Sequence, residues 1–277
     1  MQPVPELVAA VKAMRDRLGI VSAERVRDEF DKMIVAPDPR PGLWFLVDTG
    51  LAEVFLPELP ALRVEQDPIH RHKDVLTHTL EVVSKTKPHR ITRLAALYHD
   101  VAKPKTRGIG PKGVHFHHHE VVGARMTRER VRALKHSNGD GAAVSQRVFL
   151  PLRFHTFKMG WTDAAVRRFV RDAGDLLDEL IDLTRSDCTT RNEAKARKLA
   201  ARMDDLEARI EALTAQEELK AIRPDLDGTQ VMAHLGIAPG RAVGEAMAFL
   251  LELRLDEGPL GEEEAYRRLD QWWAERT

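Results

Sequence analysis

Apolar residues recur at the three- and four-residue spacing of a buried helix face along almost the whole chain. Residues 94–104 give the clearest case, with one apolar face formed by Leu94, Leu97, Tyr98 and Val101. No alternation of period two is long enough to predict a strand. The pattern therefore predicts an all-α fold, far above the about one-third helix of an average soluble domain.

Capping residues and prolines place the predicted helix boundaries. Ser22, Asp74 and either Thr162 or Asp163 precede apolar-periodic stretches and are good N-caps. Pro104 is expected to end its helix, because proline disfavours helical geometry at the residue before it. Residues 105–116 carry several glycines and no core pattern, so a loop is expected there. Helices are predicted at residues 4–18, 23–34, 43–51, 118–134, 144–154, 163–173, 176–187 and 191–219, and in three stretches between 224 and 277.

Composition limits the class of protein. With 277 residues, 43% hydrophobic and 31% charged, the chain is long enough for one large or two to three small globular domains. Cys188 is the single cysteine, which excludes an internal disulfide framework and favours a reducing compartment. No apolar run approaches the about 20 residues of a membrane span, and no signal peptide is evident. These features predict a soluble, cytoplasmic protein without a membrane partner.

Charge is unevenly distributed although the basic and acidic totals are equal. Residues 85–135 carry 13 Lys or Arg side chains against three acidic ones. Residues 204–277 carry eight basic against 17 acidic side chains. The basic segment surrounds the adjacent His99 and Asp100, as expected of a site for phosphates or a nucleic-acid backbone. The alternative interpretation is a solvated surface that is rich in lysine and arginine.

Several histidines and acids stand near the ends of predicted helices, where side chains from different elements can converge on a divalent metal. His99 and Asp100 are about 100° apart on a helix, so both reach one cation only near a helix surface or end. Each candidate also has a structural interpretation: His78 as a buried core histidine, and Asp187 as a helix-end or capping residue. The candidates are His78, His99, Asp100, His119, His155 and Asp187.

The order of His78, the adjacent His99 and Asp100, and then Asp187 resembles the HD superfamily of metal-dependent phosphohydrolases, whose four ligands are arranged in this way. The resemblance implies one or two divalent ions (Mn, Ni, Mg, Fe or Zn), with Asp100 able to bridge two of them. Two additional histidines of the two-metal members have counterparts in His119 and His155.

The resemblance also implies roles for side chains around the ligands. The cations would neutralise a phosphate and acidify a water molecule for in-line attack. Asp100 and Lys103 are the expected catalytic residues, and basic side chains would hold the remaining phosphate oxygens. The expected substrate- and phosphate-binding residues are His72, Lys103, Arg107, Arg153 and Arg191.

Longer segments resemble bacterial, actinobacterial-type CCA-adding tRNA nucleotidyltransferases of the poly(A) polymerase family. The similar segments are residues 23–32, 42–51 and 56–59 in its neck and body helices, 70–75 and 117–124 in its HD domain, and 223–228 and 235–240 in its tail. The resemblance implies tRNA as a partner, with DNA not expected. It implies neck and body helices at 1–64, a metal-binding HD domain at 65–190, and a helical tail at 191–277 that could contact tRNA.

One departure from that family concerns nucleotide addition. The family adds nucleotides with a head domain that carries a Gly-Ser turn and an Asp-x-Asp pair. The Asp-x-Asp pair of this sequence, Asp225 and Asp227, lies in the tail without such a turn, so we expect a helix-capping turn there. The chain begins after the point where the head would end, and it is expected not to add nucleotides.

These observations lead to one hypothesis and two alternatives. The hypothesis is an HD-domain phosphohydrolase or phosphodiesterase that acts on phosphorylated or 2′,3′-cyclic nucleotide or RNA ends and binds tRNA. The first alternative is a standalone nucleotide phosphohydrolase, which would cleave mononucleotides and ignore tRNA. The second is a non-catalytic tRNA-binding module, whose salt-sensitive binding would survive loss of His99.

Overall fold

A computed structural model describes residues 3–64, 74–110, 113–150, 161–190, 192–217, 219 and 222–276. Over these ranges the regular structure is helical apart from one two-stranded hairpin, which confirms the predicted all-α class. The chain divides into two compact units, Met1–His155 with Asp178–Leu199 (unit 1) and Thr156–Leu177 with Ala200–Thr277 (unit 2). None of the described helices combines the length and apolar character needed to cross a bilayer.

The elements up to residue 150 all belong to unit 1. The helices are α1 (Pro5–Met14), α2 (Ala23–Ile34), α3 (Arg40–Thr49), α4 (Leu51–Phe55), α5 (Val75–Lys85), α6 (Arg90–Tyr98), α7 (Lys103–Thr106), α8 (His119–Ala133) and α9 (Asn138–Phe149). Short 3-10 turns lie at Arg15–Ile20 and Pro60–Leu62. The antiparallel strands between α7 and α8 are β1 (Arg107–Gly110) and β2 (Gly113–Phe116).

The remaining helices follow the same naming. They are α10 (Asp163–Ala173), α11 (Leu177–Asp187), α12 (Glu193–Gln216), α13 (Gly228–Leu235), α14 (Arg241–Glu257) and α15 (Glu262–Ala274). Unit 1 includes α11 almost entirely, and the division between the units falls within α12.

The core of unit 1 is built around α6, in which every residue from Thr92 to Tyr98 is buried. Full burial of a leucine side chain contributes about 1.5–3 kcal/mol, so this short helix is held by packing and not by its own propensity. The buried guanidinium of Arg93 donates to the carbonyl oxygens of Thr86 and Ile34, which satisfies backbone groups at the ends of α5 and α2. The C-terminal end of α6 therefore lies deep inside unit 1, and His99 and Asp100 follow directly.

Unit 2 has a small apolar core of its own and a buried ionic cluster. The apolar core is formed by Leu226, Val231, Ala246, Leu250, Ala265 and Leu269. Glu217 lies between two buried arginines: its carboxylate is 2.7 Å from Nε of Arg167 and 2.9 Å from Nη1 of Arg254. This cluster ties α10 and α14 to the segment that follows α12.

Capping was predicted well. The side chains of Ser22, Asp74 and Thr162 each accept a backbone N–H at the start of α2, α5 and α10, as expected. Asp227 also caps α13, in a reciprocal capping box with Gln230. The capping interpretation of that Asp-x-Asp pair is therefore confirmed.

Two predictions around the end of α6 are wrong. Pro104 does not end α6, which stops at Tyr98. Pro104 lies in the first turn of α7, where the backbone N–H groups have no partner within the helix and a missing N–H costs no hydrogen bond. The expected loop at 105–116 contains the hairpin β1–β2. Its strands are too short to show an alternation, and Gly108 opposes His115, whose ring occupies the space of the missing Cβ.

Two helix boundaries also differ from expectation. The predicted helix at 4–18 is α1 followed by the 3-10 turn Arg15–Ile20, and its apolar face is not buried: Val4 is 58% and Leu7 51% exposed. The helix expected to begin at residue 144 begins at Asn138, with Ser137 as its cap. The two glycines near its start resemble a turn in the sequence, and so the first turn was missed.

Candidate metal centre

Four elements of unit 1 bring the candidate ligands together. His78 lies in the middle of α5 and is buried by the apolar residues of that helix. His99 and Asp100 follow the last residue of α6, His119 is the first residue of α8, and Asp187 is the last residue of α11. Because three of these helices begin or end at the site, short side chains can point to one place from different directions.

The donor atoms of His78, His99 and Asp187 lie close enough together to hold one cation. Nε2 of His78 is 3.3 Å from Nε2 of His99 and 2.9 Å from Oδ1 of Asp187. Asp100, which is only 2% exposed, places Oδ2 3.2 Å from Nε2 of His99 and 3.6 Å from Nε2 of His78. Two imidazoles and two carboxylates form a donor set suited to a borderline divalent cation.

The opposite ring nitrogens fix the orientation of the histidines. Nδ1 of His99 is 2.7 Å from the carbonyl oxygen of Ala96, and Nδ1 of His119 is 2.8 Å from that of Phe116. Since a carbonyl oxygen only accepts, Nδ1 carries a hydrogen in both rings, and Nε2 is the nitrogen that a cation would meet. Nδ1 of His78 pairs with Oγ1 of Thr189 at 2.7 Å, which orients this ring in the same way. Such outer partners are characteristic of histidines that ligate metals.

His119 lies on the other side of Asp100 from the first two histidines. Its Nε2 is 3.9 Å from Oδ1 of Asp100, whereas Oδ2 of the same carboxylate faces His78 and His99. Oδ2 of Asp100 therefore faces His78 and His99, and Oδ1 faces His119. This arrangement is what a carboxylate that bridges two cations requires.

The electrostatics of the site favour positive charge at the point where the donors converge. Burial alone would lower the pKa of His99, but the carboxylates of Asp100 and Asp187 outweigh it and raise this pKa to about 10. Burial would likewise raise the pKa of Asp100, but His99 and Lys103 lower it well below its usual range. Asp100 is therefore ionised at neutral pH. A buried carboxylate that stays ionised can bind a cation without first losing a proton, whereas Nε2 of His99 would release a proton to bind one.

Among the described residues, Lys103 is a basic side chain that forms an ion pair with a donor of this site. Its Nζ is 2.7 Å from Oδ2 of Asp100 and 5.5 Å from the ring centre of Phe116 on β2. Arg107 lies exposed on β1 and forms no hydrogen bond or ion pair with the donors among the described residues. The other predicted site residues, His72, Arg153, His155 and Arg191, lie outside the described residues.

Sequence reasoning missed the residues that support the ligands. Glu179 of α11 accepts from Nη2 of Arg147 at 2.9 Å and from Oγ1 of Thr92 at 2.6 Å, and so ties the helix of Asp187 to α9 and α6. Thr189, the partner of His78, is 111 residues away from it in the chain. No periodicity or motif marks these residues, because their roles depend on contacts between distant helices.

Comparison with known proteins identifies two families along the chain. The HD domain matches residues 75–213, and the probable RNA and SrmB-binding site of polymerase A matches residues 1–62. The HD match includes every described donor of the site.

Curated relatives cover the chain at about one-third identity. The A-adding tRNA nucleotidyltransferase of Deinococcus radiodurans is 34% identical over 100% of this chain and 64% of its own length. The CC-adding tRNA nucleotidyltransferase of Thermus thermophilus is 34% identical over 92% of this chain and 58% of its own length. A multifunctional CCA protein of Neisseria meningitidis is 35% identical over 41% of this chain and 29% of its own.

These proteins are longer than the chain, which spans roughly three fifths of the first two, 64% and 58%. The similarity nevertheless runs through both matched families, and it agrees with the ligand order and the all-α fold. The chain belongs to the HD domain family, and it is related along its length to tRNA nucleotidyltransferases.

Proposed function

We propose that this chain is a metal-dependent phosphohydrolase of phosphate esters at nucleotide or RNA ends, including 2′,3′-cyclic phosphates, and that it binds tRNA. The observation that carries the proposal is the convergence of His78, His99, Asp100 and Asp187, with Nε2 of both histidines turned to one point. The outer nitrogens Nδ1 are engaged by Thr189 and by the carbonyl oxygen of Ala96, which supports a ligand role for both Nε2 atoms.

The donor set fits a divalent cation held by His78, His99, Asp100 and Asp187. With a second cation, Asp100 would be shared and His119 would be a further ligand. When bound, the metal would supply positive charge for phosphate oxygens and would lower the pKa of a coordinated water. Hydrolysis forms one bond from water oxygen to phosphorus and breaks one P–O ester bond, and the proton goes to the leaving oxygen.

Lys103 has a specific place in this proposal. Its ammonium group is held between the carboxylate of Asp100 and the face of Phe116, and its side chain is only 16% exposed. A phosphate that approaches the donors would meet this ammonium beside the ligands. We assign Lys103 to holding a non-bridging phosphate oxygen, a role in which a fixed charge strengthens binding.

The tRNA part of the proposal rests on relatedness and charge. Residues 1–62 match an RNA-binding family, and two relatives that cover 100% and 92% of the chain are named as tRNA nucleotidyltransferases. The basic segment 85–135 supplies charge for a phosphate backbone. Nucleotide addition is not part of the proposal, because the Asp-x-Asp pair is engaged elsewhere: Asp227 caps α13, and Asp225 accepts from the amide of Leu260.

The test is turnover of 2′,3′-cyclic AMP by the purified chain after chelation and reconstitution with Mn²⁺ or Ni²⁺. We expect metal-dependent hydrolysis that is lost in His78→Ala and retained in His234→Ala, a matched control at an exposed histidine of unit 2. Absence of turnover with either metal, for cyclic and linear phosphate substrates alike, would contradict the proposal. Turnover of mononucleotides without binding of tRNA would favour a standalone nucleotide phosphohydrolase.

A further inference from the structure

Three arginines of α8 form an exposed stripe beyond the metal centre. Arg125, Arg128 and Arg132 lie within about 60° of one another around the helix axis, since residues three and seven apart share a face. All three are exposed, and none has an ion pair or hydrogen bond through its side chain within the described ranges. The same helix begins at His119, about 9 Å from Arg125 and about 20 Å from Arg132 along its axis, and the stripe lies roughly 120–180° around the helix from His119.

The lack of partners distinguishes these arginines from Arg130 and Arg63 of the same unit. Arg130, also on α8, donates to the carbonyl oxygen of Phe55 and to the carboxylate of Glu58. Arg63 pairs with Asp48 at 2.9 Å.

Acidic charge near the stripe is sparse. Glu129 is the one acid between these arginines in sequence, and it is exposed and makes no ion pair among the described side chains. Glu120, at the start of α8, lies 3.9 Å from Nδ1 of His119. The stripe therefore presents three guanidinium groups to solvent with little compensation.

We infer that this stripe binds the phosphodiester backbone of an RNA strand that passes around the start of α8, so that its end reaches the metal centre. The inference rests on the proposed function and sharpens it, because it makes the substrate a polynucleotide and not a mononucleotide. Guanidinium groups bind phosphate oxygens bidentately. Their axial separations of about 4.5 and 6 Å suit a ladder of closely spaced phosphates better than isolated carboxylates of a protein surface.

The test compares two triple variants. Arg125→Gln with Arg128→Gln and Arg132→Gln removes the stripe, and glutamine keeps a similar helix propensity. The control removes the same charge from unit 2, at positions that also lack an ion pair among the described residues: Arg171→Gln, Arg202→Gln and Arg223→Gln. The probes are a fluorescein-labelled oligoribonucleotide that ends in a 2′,3′-cyclic phosphate, and 2′,3′-cyclic AMP.

For the stripe variant, we expect kcat/KM for cyclic AMP to stay within about twofold and kcat/KM for the oligonucleotide to fall at least tenfold at low salt. Binding measured by fluorescence anisotropy should weaken, and the slope of log K against log[salt] should become shallower by about 2, for three lost contacts to a single strand. The unit 2 control should bind and cleave both probes like the unmodified chain.

Several outcomes would overturn the inference. One is unchanged oligonucleotide binding and salt slope in the stripe variant, and another is an equal loss in the unit 2 control. If the unmodified chain cleaves neither probe, the proposed hydrolase function fails, but the anisotropy comparison still decides whether the stripe binds RNA. If it cleaves cyclic AMP while the stripe variant cleaves and binds the oligonucleotide normally, only the stripe inference fails.

Discussion

Glu179 is predicted to hold α11, and with it Asp187, in place. Its carboxylate accepts from Nε and Nη2 of Arg147, at 2.5 and 2.9 Å, and from the hydroxyl of Thr92. The Arg147 side chain is 8% exposed and that of Glu179 30%. Removing one partner of a buried pair costs about 3–5 kcal/mol, and the partial exposure of Glu179 reduces this to about 2–3 kcal/mol.

The assay is urea unfolding of Glu179→Ala followed by circular dichroism. We expect the free energy of unfolding to fall by about 2–3 kcal/mol and the midpoint to move by about 1 M. The matched control is Glu193→Ala, because Glu193 pairs with Arg197 while its side chain is 89% exposed. That pair should contribute less than about 0.5 kcal/mol.

A double replacement separates the buried charge from the packing. Methionine at both Arg147 and Glu179 should recover part of the stability lost in Glu179→Ala, since an apolar pair leaves no uncompensated charge. A loss below about 1 kcal/mol in Glu179→Ala, or a loss equal to that of Glu193→Ala, would refute this account of α11.

Three further predictions concern other parts of the structure. Burial and the charge of Arg90 lower the pKa of His136 to about 4, although Asp140 opposes them. The stabilisation by neutral His136 is therefore present above pH 6.5 and lost toward pH 4. Urea unfolding should show a fall of about 2 kcal/mol in the free energy of unfolding between about pH 7 and pH 5, and this fall should be absent in His136→Gln. Glu217→Gln should cost about 3 kcal/mol in thermal or urea unfolding, because it leaves two buried arginines without their anion. Thr189→Val should weaken Mn²⁺ binding by about tenfold in titration calorimetry, with the fold unchanged, because His78 loses its orienting partner.

Each of these predictions has a result that would contradict it. The interpretation of His136 fails if the wild-type and variant midpoints run parallel from pH 7 to 5, since Asp31, Arg27 and Asp28 also face it and would then dominate. If Glu217→Gln leaves the free energy of unfolding unchanged, the cluster is solvated. If Thr189→Val binds Mn²⁺ as tightly as the unmodified chain, His78 does not depend on Thr189 for its orientation.

The helices could be predicted from the sequence because their signals are local. An apolar stripe, an N-cap such as Ser22 and a buried run such as α6 are visible in a short window of residues. The hairpin β1–β2 was missed for the same reason, since four-residue strands that contain glycine give no periodic signal. The helix end expected at Pro104 was wrong because proline is also favoured at a helix start.

The site could be predicted in part, since the ligand order is a family pattern. The sequence indicated His78, His99, Asp100 and Asp187, but not that the outer nitrogens would bind Thr189 and the carbonyl of Ala96. It also predicted a basic segment without distinguishing arginines that are paired from those that are free. That distinction depends on tertiary neighbours, which one sequence does not reveal.

The central claim is that His78, His99, Asp100 and Asp187 together bind a divalent cation. The direct measurement is titration calorimetry of the chelator-treated chain with Mn²⁺ and Ni²⁺, with metal content of the complex checked by elemental analysis. The account predicts saturable binding of at least one ion per chain, abolished in His78→Ala and in Asp187→Ala while the circular dichroism spectrum is unchanged. Binding that is absent in the unmodified chain, or equally strong in both variants, would contradict it.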